Sequence, residues 1–440
     1  MPTQRLTPYV GVAAVSSPLE VGADRAPQVA RDLGQILEEA GCRVLPLGAI
    51  GTPDEASTAG RQATEAHVDA LVFAPVSWFE DYLILQCLEE CPVPSLFWPL
   101  PGMETGALCG AQQITCYLKQ LDHPYAAVFG ELEDHQCIEQ AQQFLRAAVL
   151  KQRLRRARIG FAGHRVPGMT ETAPNEFMLK KALGPILMPL DLPILLEQSA
   201  QMPDDDAVAR WEDVVSRAGS CQVTEDDGID AMKVYAALYA MIQEYGLDAV
   251  TVGCYPHLMG KVCMSIGLLA DQGIPFACEG DVNGAVAQLM LALLTDSPTH
   301  STDWLDPLPD ETVVFSHCGS GSFMLAEQQA DIQLTPVRLM DRGVCAIFPA
   351  KPGPVTLLNL MATPEGYQCA LVEGEAVRTE MVFPGNPVRV QFAQPLSTVM
   401  QWIFDEGIGH HWMIGYGHVG AELRAWSRIV GRDVRLIEPA

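Results

Sequence analysis

The chain has 440 residues, 48% hydrophobic and 19% charged, which excludes a disordered protein and predicts two or three domains. Its formal charge of −26 argues against nucleic acid or an anionic membrane as a partner, because both bind basic surfaces. We find no signal peptide and no apolar run of about 20 residues, and thirteen cysteines are scattered through apolar runs. These features predict a cytoplasmic protein with reduced thiols.

The first part of the chain alternates short apolar runs with amphipathic segments. A long helix over about 133–156 closes the series. Strands that alternate with helices predict βαβ units and a parallel sheet, here assigned to an N-terminal α/β domain over 1–156. The predicted strands of this domain are 9–15, 43–47, 69–74, 94–98 and 125–129.

A second α/β series predicts a middle domain over 157–310. Its strands are predicted at 158–163, 248–253 and 274–278, and its helices at about 204–217, at 228–245 and from Lys261. The last strand leads into FACEGDVNGA, where Asp281 is predicted to cap a helix that starts at about Val282. The segment 297–311 is rich in Pro, Asp and Ser, which predicts a boundary or active-site loop.

The remaining residues, 311–440, consist of apolar runs separated by Gly and Pro turns, which predicts an antiparallel sheet or small barrel. A helix, a strand and a helix (395–406, 410–416 and 418–430) end the chain. The predicted fold class is therefore α/β: two Rossmann-like α/β domains with parallel sheets, followed by a smaller C-terminal antiparallel β-barrel-like domain.

The familiar phosphate-binding signatures fail in this sequence. GCYPHLMGKV has a Gly-Lys pair, but Val262 stands where a P-loop needs Ser or Thr. The glycine-rich HCGSGSF matches neither a dinucleotide fingerprint nor a nucleophile elbow.

Carboxylates and imidazoles stand instead at the ends of several apolar strands. Each has a structural alternative: a loop carboxylate, a turn cap or a buried core histidine. Neighbours on a strand face opposite sides, so one histidine of the HH pair could be buried and the other exposed. Together they would suit Mn²⁺ or a similar divalent ion. The residues are Glu279, Asp303, Asp306, His317, His410 and His411.

Several stretches, in order, resemble one family. ACEGDVNGAVAQLMLALL, the strand ending in HCG and the C-terminal GHHWMIGYGHVGAELRAW resemble the L-fucose isomerase/L-arabinose isomerase superfamily, most closely its L-fucose isomerase-like branch. The resemblance spans roughly residues 155–435 and is weaker before them. It implies that Glu279 and Asp303, 24 positions apart, bind a metal ion together with a C-terminal histidine. His411 is the preferred third ligand, with His410 as the alternative.

The resemblance also implies an activity. Family members interconvert aldoses and ketoses, so we expect a metal-dependent ketol isomerase that uses Mn²⁺, or another divalent ion such as Co²⁺ or Mg²⁺. The open-chain sugar would be like L-fucose or D-arabinose, or an anionic, for example sulfonated, hexose. Glu279 is expected to carry the proton between C1 and C2, and Asp303 to act as ligand and second candidate proton carrier. The candidate substrate contacts are His317, Trp304, Arg165 and Lys261.

Two alternatives remain open: a catalytically silent sugar-binding or regulatory homologue, and an epimerase or lyase that uses the same metal–enediolate chemistry. The family also implies a homo-oligomer, either a trimer or a hexamer.

Overall fold

The computed structural model describes residues 6–440, which form two compact units. Residues 6–153 and 421–432 make up the N-terminal unit, and residues 154–420 and 433–440 make up the larger unit. Residues 6–440 are of the mixed α/β class, with two parallel sheets and two mixed sheets, one of seven strands and one of three. None of the helices in residues 6–440 has both the length and the apolar character needed to span a bilayer.

The N-terminal unit contains a five-stranded parallel sheet in the order β2-β1-β3-β4-β5, which confirms the predicted parallel βαβ pattern. Apolar side chains fill β1 and β3 almost without interruption, as expected of strands covered on both faces. In chain order the elements are β1 (Tyr9–Val15), α1 (Ala26–Glu39), β2 (Arg43–Ile50), α2 (Pro53–Ala66), β3 (Ala70–Pro75), α3 (Asp81–Glu90), β4 (Ser95–Phe97), α4 (Ala107–Gln120), β5 (Tyr125–Ala127) and α5 (His135–Arg156).

The larger unit begins with a second parallel sheet, in the order β10-β9-β6-β7. Helix α9 packs against α7, α8 and α10 and supplies much of the apolar core beside this sheet. The elements are β6 (Arg158–Ala162), α6 (Glu176–Met178), β7 (Ile186–Leu190), α7 (Leu192–Gln201), α8 (Asp204–Ser216), β8 (Ser220–Cys221), α9 (Glu225–Tyr245), β9 (Ala249–Val252), α10 (Cys263–Asp271), β10 (Phe276–Ala277) and α11 (Val282–Thr295).

The same unit continues into a seven-stranded sheet, β15-β18-β11-β12-β17-β16-β19. Because β15 also pairs with β16, six of the strands close into a ring, and β19 attaches to β16 in parallel. The elements are β11 (Thr299–Pro307), β12 (Thr312–Ser316), β13 (Gln333–Val337), β14 (Arg342–Ile347), β15 (Gly353–Ala362), β16 (Tyr367–Val377), β17 (Val388–Phe392), α12 (Leu396–Glu406), β18 (His411–Tyr416) and β19 (Val434–Ile437). Helix α13 (Gly420–Val430) lies between the last two strands in the chain but, apart from Gly420, belongs to the N-terminal unit.

Two features of this region differ from the sequence-based prediction. The segment 297–311 is not a loop: β11 occupies its centre and pairs with β12 and β18. The Pro, Asp and Ser residues led to the prediction of a loop, but the segment forms a strand whose first four residues are buried. The final strand, β19, was not predicted because its four residues are too few to give a clear period. The division into domains at 156 and 310 stays a prediction.

Helix α11 connects the parallel sheet to the seven-stranded sheet. Nearly all of its residues are buried, because it packs against β9 and β10 on one side and β15 and β18 on the other. A helix that is apolar all round suits such a position. Its N-terminus therefore lies where β10 ends and β18 begins, and this is the point at which the candidate site forms.

Candidate active site

Glu279 lies in a strained turn between β10 and α11. Its φ angle is 67° and that of Gly280 is 74°, so two consecutive residues adopt the left-handed conformation. Such a conformation costs a non-glycine residue about 1–3 kcal/mol and is concentrated at functional sites. A side chain at position 280 would collide with the backbone of His164 and Arg165, which explains the glycine there.

Asp281 caps α11, as predicted, and also contacts a histidine. One carboxylate oxygen, Oδ1, accepts a hydrogen bond from the Gly284 N–H at 2.8 Å. The other, Oδ2, lies 2.8 Å from His411 Nδ1, and both side chains are buried. The sequence predicts the cap but not the second contact. The available signal was chemical: a cap uses one oxygen, and in an apolar junction the other oxygen needs a partner of its own.

His411 is the first residue of β18, and its ring is almost completely buried. With Nδ1 facing Asp281, Nε2 points to two carboxylates, Glu279 Oε2 at 3.2 Å and Asp303 Oδ1 at 3.7 Å. His410 is more exposed, and its Nδ1 lies 2.8 Å from Glu171 Oε1. The neighbouring histidines therefore have different partners, although donor atoms of Asp303, His410 and His411 all lie within 4.8 Å of one another.

Asp303 is positioned by strand pairing. In the register of β11 with β18 it lies opposite His411, and in the register with β12 it lies opposite Ser316. Residues directly opposite on neighbouring strands share a face of the sheet, which brings the carboxylate to the imidazole. Its Oδ1 atom is buried and has no hydrogen-bond partner in the described structure. Asp306, farther along the strand, is exposed.

His317 follows β12 directly and completes the group. Its Nε2 atom lies 3.8 Å from Glu279 Oε2, and its Nδ1 atom lies 3.2 Å from Cys318 Sγ. Donor atoms of Glu279, His317 and His411 all lie within 4.8 Å of one another. The fold thus brings together residues that are more than 130 positions apart in sequence.

The three remaining candidate contacts occupy different surroundings. Arg165 is half-buried in the loop whose next residue, Val166, donates its N–H to the Glu279 carbonyl at 3.3 Å. Trp304 packs in an aromatic group, with ring centroids 4.9 Å from Phe315 and 5.7 Å from Phe392. Lys261 is exposed before α10, and within residues 6–440 no ion pair joins it to a carboxylate. Arg165 is therefore linked to the site through the backbone of Glu279, and Trp304 through its own N–H, which donates to the His410 carbonyl at 3.2 Å.

The charges of the site are strongly coupled. Burial alone would raise the pKa of Glu279, but hydrogen bonds with His317 and His411 outweigh it and lower the pKa to about 2. Burial would lower the pKa of His411, but its bonds to Asp281 and Glu279 raise it to about 10. The carboxylates therefore hold positive charge on the imidazole, which is the behaviour of a site built to bind a cation.

His317 and Cys318 form a second coupled pair. Burial would lower the pKa of His317, yet the adjacent Cys318 and Glu279 hold it well above its usual value. Hydrogen bonds with Cys263 and Cys278, together with the charge of His317, hold the pKa of the Cys318 thiol well below its ordinary range. His317 thus has a carboxylate near Nε2 and a thiol of lowered pKa near Nδ1.

The group fits a divalent metal ion by its donor set. Two carboxylates and an imidazole nitrogen are ligands that Mn²⁺ and similar ions accept. Metal-binding histidines usually donate their second N–H to a carboxylate, and Asp281 occupies that place behind His411. The unpartnered Oδ1 of Asp303 would gain the partner it lacks. Glu279, Asp303 and His411 are therefore the residues suited to hold the ion.

Comparison with known proteins gives relatives that match this chain over most of their length. The chain is 24% identical over 433 residues to the sulfoquinovose isomerase of Alkalicoccus urumqiensis, covering 94% of this chain and 96% of that one. It is 24% identical to the sulfoquinovose isomerases of Priestia aryabhattai (84% and 85% covered) and of Clostridium sp. strain MSTE9 (78% and 81% covered). No family model matches the chain.

A solved acetyl-coenzyme A synthetase from Ca. Korarchaeum cryptofilum covers 66% of this chain, but its TM-score of 0.23 is too low to support any inference. The curated relatives confirm the prediction that the chain is an enzyme, specifically an isomerase.

Proposed function

We propose that the protein is a metal-dependent aldose–ketose isomerase of the L-fucose isomerase-like family, acting on a sulfonated hexose of the sulfoquinovose type. The similarity to sulfoquinovose isomerases carries the proposal, because it covers 94% of this chain and 96% of the relative from Alkalicoccus urumqiensis. The convergence of Glu279, Asp303 and His411 supports it independently. An isomerase of this kind moves a proton between C1 and C2 of the open-chain sugar through an enediol or enediolate.

Glu279 is the proposed proton carrier. Its carboxylate is ionised at neutral pH, which is the form that accepts a proton from C2. The strained turn fixes the side chain at one edge of the donor group, which limits the reorganisation needed before transfer. Asp303 is the second candidate and would transfer the proton at the adjacent carbon, C1. Its side chain lies on the same face of the sheet as His411. Asp281 keeps the His411 ring in one orientation.

A bound divalent ion, Mn²⁺ or alternatively Co²⁺ or Mg²⁺, would supply Lewis-acid stabilisation of the negative charge that develops on the sugar oxygens. Glu279, Asp303 and His411 would hold it. Since metal binding requires a neutral imidazole nitrogen, His411 would lose its Nε2 proton on loading.

An anionic sugar needs a local cation in a chain with a net charge of −26. We assign this role to Arg165, whose loop is hydrogen-bonded to the Glu279 backbone. Its Nη1 atom already donates to the Val166 carbonyl at 3.2 Å, which leaves the other guanidinium donors for a sulfonate. Arginine is suited to this role because its planar donors match an oxyanion in pairs.

The proposed assembly is a homo-oligomer, a trimer or a hexamer, as the family resemblance implies. Light scattering coupled to size-exclusion chromatography would give the mass directly.

The deciding experiment measures sugar conversion. Metal-stripped protein is reloaded with Mn²⁺ and incubated with sulfoquinovose or with glucose, and products are followed by NMR in H₂O and D₂O. We expect ketose to form from the sulfonated sugar, with Glu279→Gln slower by at least about 100-fold, the low end of general acid–base contributions. Proton exchange at C2 without ketose would indicate an epimerase instead. Sugar binding without exchange or conversion would contradict the proposal.

A further inference from the structure

A group of buried cysteines lies beside the candidate active site. Cys254 and Cys278 follow the neighbouring strands β9 and β10, and Cys318 follows His317 at the end of β12. The thiol of Cys278 interacts with those of Cys254 and Cys318, and Cys318 interacts with Cys263, the first residue of α10. The proposed isomerase mechanism uses none of these four thiols.

The donor atoms of this group converge. Cys278 Sγ, Cys318 Sγ and a ring nitrogen of His317 all lie within 4.8 Å of one another, and His317 Nδ1 is 3.2 Å from Cys318 Sγ. Cys263 Sγ accepts the Gly260 N–H at 3.4 Å. Cys318 is only partly buried, so an ion has a route to the group.

We propose that Cys278, Cys318 and His317 Nδ1 form a second metal site, specific for thiophilic cations of the Zn²⁺ and Cu⁺ class. Thiolate and imidazole donors select such ions, whereas the oxygen-rich group of Glu279 and Asp303 suits harder ions. Cys263, the first residue of α10, is the candidate fourth donor for a tetrahedral site, because its thiol interacts electrostatically with that of Cys318.

The two sites share one imidazole. His317 directs Nδ1 to the cysteine group, while its Nε2 lies 3.8 Å from Glu279 Oε2. An ion at Nδ1 fixes the ring and changes the charge that faces the proposed proton carrier. If the proposed isomerase function holds, a thiophilic ion therefore slows turnover without displacing Mn²⁺.

The test uses Cd²⁺ as the probe. Full-length protein, reduced with a reagent free of thiols and preloaded with Mn²⁺, is titrated with Cd²⁺. Ultraviolet Cd²⁺–thiolate charge-transfer absorption and mass-spectrometric metal content are recorded. We expect one tightly bound Cd²⁺ beside retained Mn²⁺. The Cys278→Ser/Cys318→Ser variant should bind it at least about 10-fold more weakly, since even an outer-sphere partner contributes that much. Cys221→Ser, which removes an exposed thiol, is the matched control and should behave as wild type.

The proposal fails if wild type gives no charge-transfer absorption, if the double variant gives the same absorption, or if Cys221→Ser removes it. Circular dichroism and Mn²⁺ content report whether the double variant is folded. If it is not, the single variant Cys318→Ala takes its place, with the same expected weakening.

Turnover separates the two proposals. Cd²⁺ should slow Mn²⁺-supported conversion of sulfoquinovose in wild type at least about 10-fold more than in Cys318→Ala, following the difference in affinity. Cd²⁺–thiolate absorption in a protein without any turnover would support the second site and overturn the isomerase function. The same absorption with unaffected turnover would overturn the coupling through His317.

Discussion

The contact between Asp281 and His411 makes a sharp prediction, because one side chain performs two separable tasks. Asp281 Oδ1 caps α11 at the Gly284 N–H, and Oδ2 accepts from His411 Nδ1. Asp281→Asn keeps an oxygen for the cap and replaces the second oxygen by an NH₂ group. That group cannot accept from Nδ1–H, so His411 is driven toward the tautomer that carries its proton on Nε2.

The expected magnitudes follow from these two contacts. Asparagine and aspartate cap helices about equally well, so the unfolding free energy of the metal-free helix end should change little through the cap. Loss of an outer-sphere partner of a metal-binding histidine typically weakens metal binding 10- to 100-fold, or by about 1.4 to 2.7 kcal/mol. Asp281→Ala should lose the same metal affinity and about 1 kcal/mol of cap stability in addition.

The assay pairs two measurements on each variant. Mn²⁺ affinity is measured from the electron paramagnetic resonance signal of free Mn²⁺, and stability from urea unfolding with and without the metal. Asp191→Ala is the matched control, because Asp191 caps α7 through the Ile194 N–H at 3.3 Å and is exposed. It should lose about 1 kcal/mol of stability and keep wild-type Mn²⁺ affinity.

The reasoning is refuted if Asp281→Asn binds Mn²⁺ as tightly as wild type. It is also refuted if Asp281→Asn and Asp191→Ala lower the affinity equally, since the effect would then come from helix capping in general. A third contradictory result would be loss of turnover in Asp281→Asn at unchanged affinity, because the residue would then act on the sugar.

Three further predictions concern the same group. His411→Asn should weaken Mn²⁺ binding at least about 10-fold, whereas His410→Asn should leave it within a factor of about two, measured by the same resonance titration; the reverse order would reassign the ligand. In the metal-free protein, the contribution of Glu279 to the free energy of unfolding is fully present above pH 4.5 and is lost as the pH falls toward 2. The contribution of His411 is fully present below pH 6.5 and is lost as the pH rises toward 10. The difference in unfolding free energy between wild type and Glu279→Gln should therefore be largest between about pH 4.5 and 6.5; a difference that keeps growing above pH 7 would contradict the pairing. Arg165→Met should raise KM for sulfoquinovose at least about 10-fold, the loss of a charge-assisted hydrogen bond, while leaving kcat within a few-fold; unchanged KM would remove Arg165 from sulfonate recognition.

Much of the fold could be predicted because apolar residues recur at regular spacings along its strands and helices. The parallel sheet of the N-terminal unit and the helix that starts at Val282 follow from alternating apolar runs and a capping aspartate. The strand β11 was misread as a loop because its Pro, Asp and Ser residues are typical of turns. In a closed ring, pairing on both sides satisfies the backbone of such a strand regardless of its composition.

The residues of the site could be predicted from their chemical type and position, but the contacts between them could not. Nothing in the sequence distinguishes His410 from His411, because the choice depends on which face of β18 meets α11 and β11. Likewise, Asp281 looked like a helix cap because capping is a local pattern, while its contact with a residue 130 positions away depends on packing. Local patterns such as helix caps can be predicted from the sequence. Contacts between residues that are far apart in the chain require the structure.

The glycine at position 284 shows how closely helix α11 is fitted to the site. Alanine is the better helix former by about 1 kcal/mol, so propensity alone would favour a substitution there. A Cβ at this position, however, would overlap the Asp281 carboxylate and the Met413 side chain on β18. Glycine therefore lowers the intrinsic stability of the first turn of the helix. In return it leaves room for Asp281 to accept hydrogen bonds from the Gly284 N–H and from His411. A cap alone does not require a glycine three residues later. The glycine at position 284 is therefore explained by the need to hold the His411 ring in one orientation.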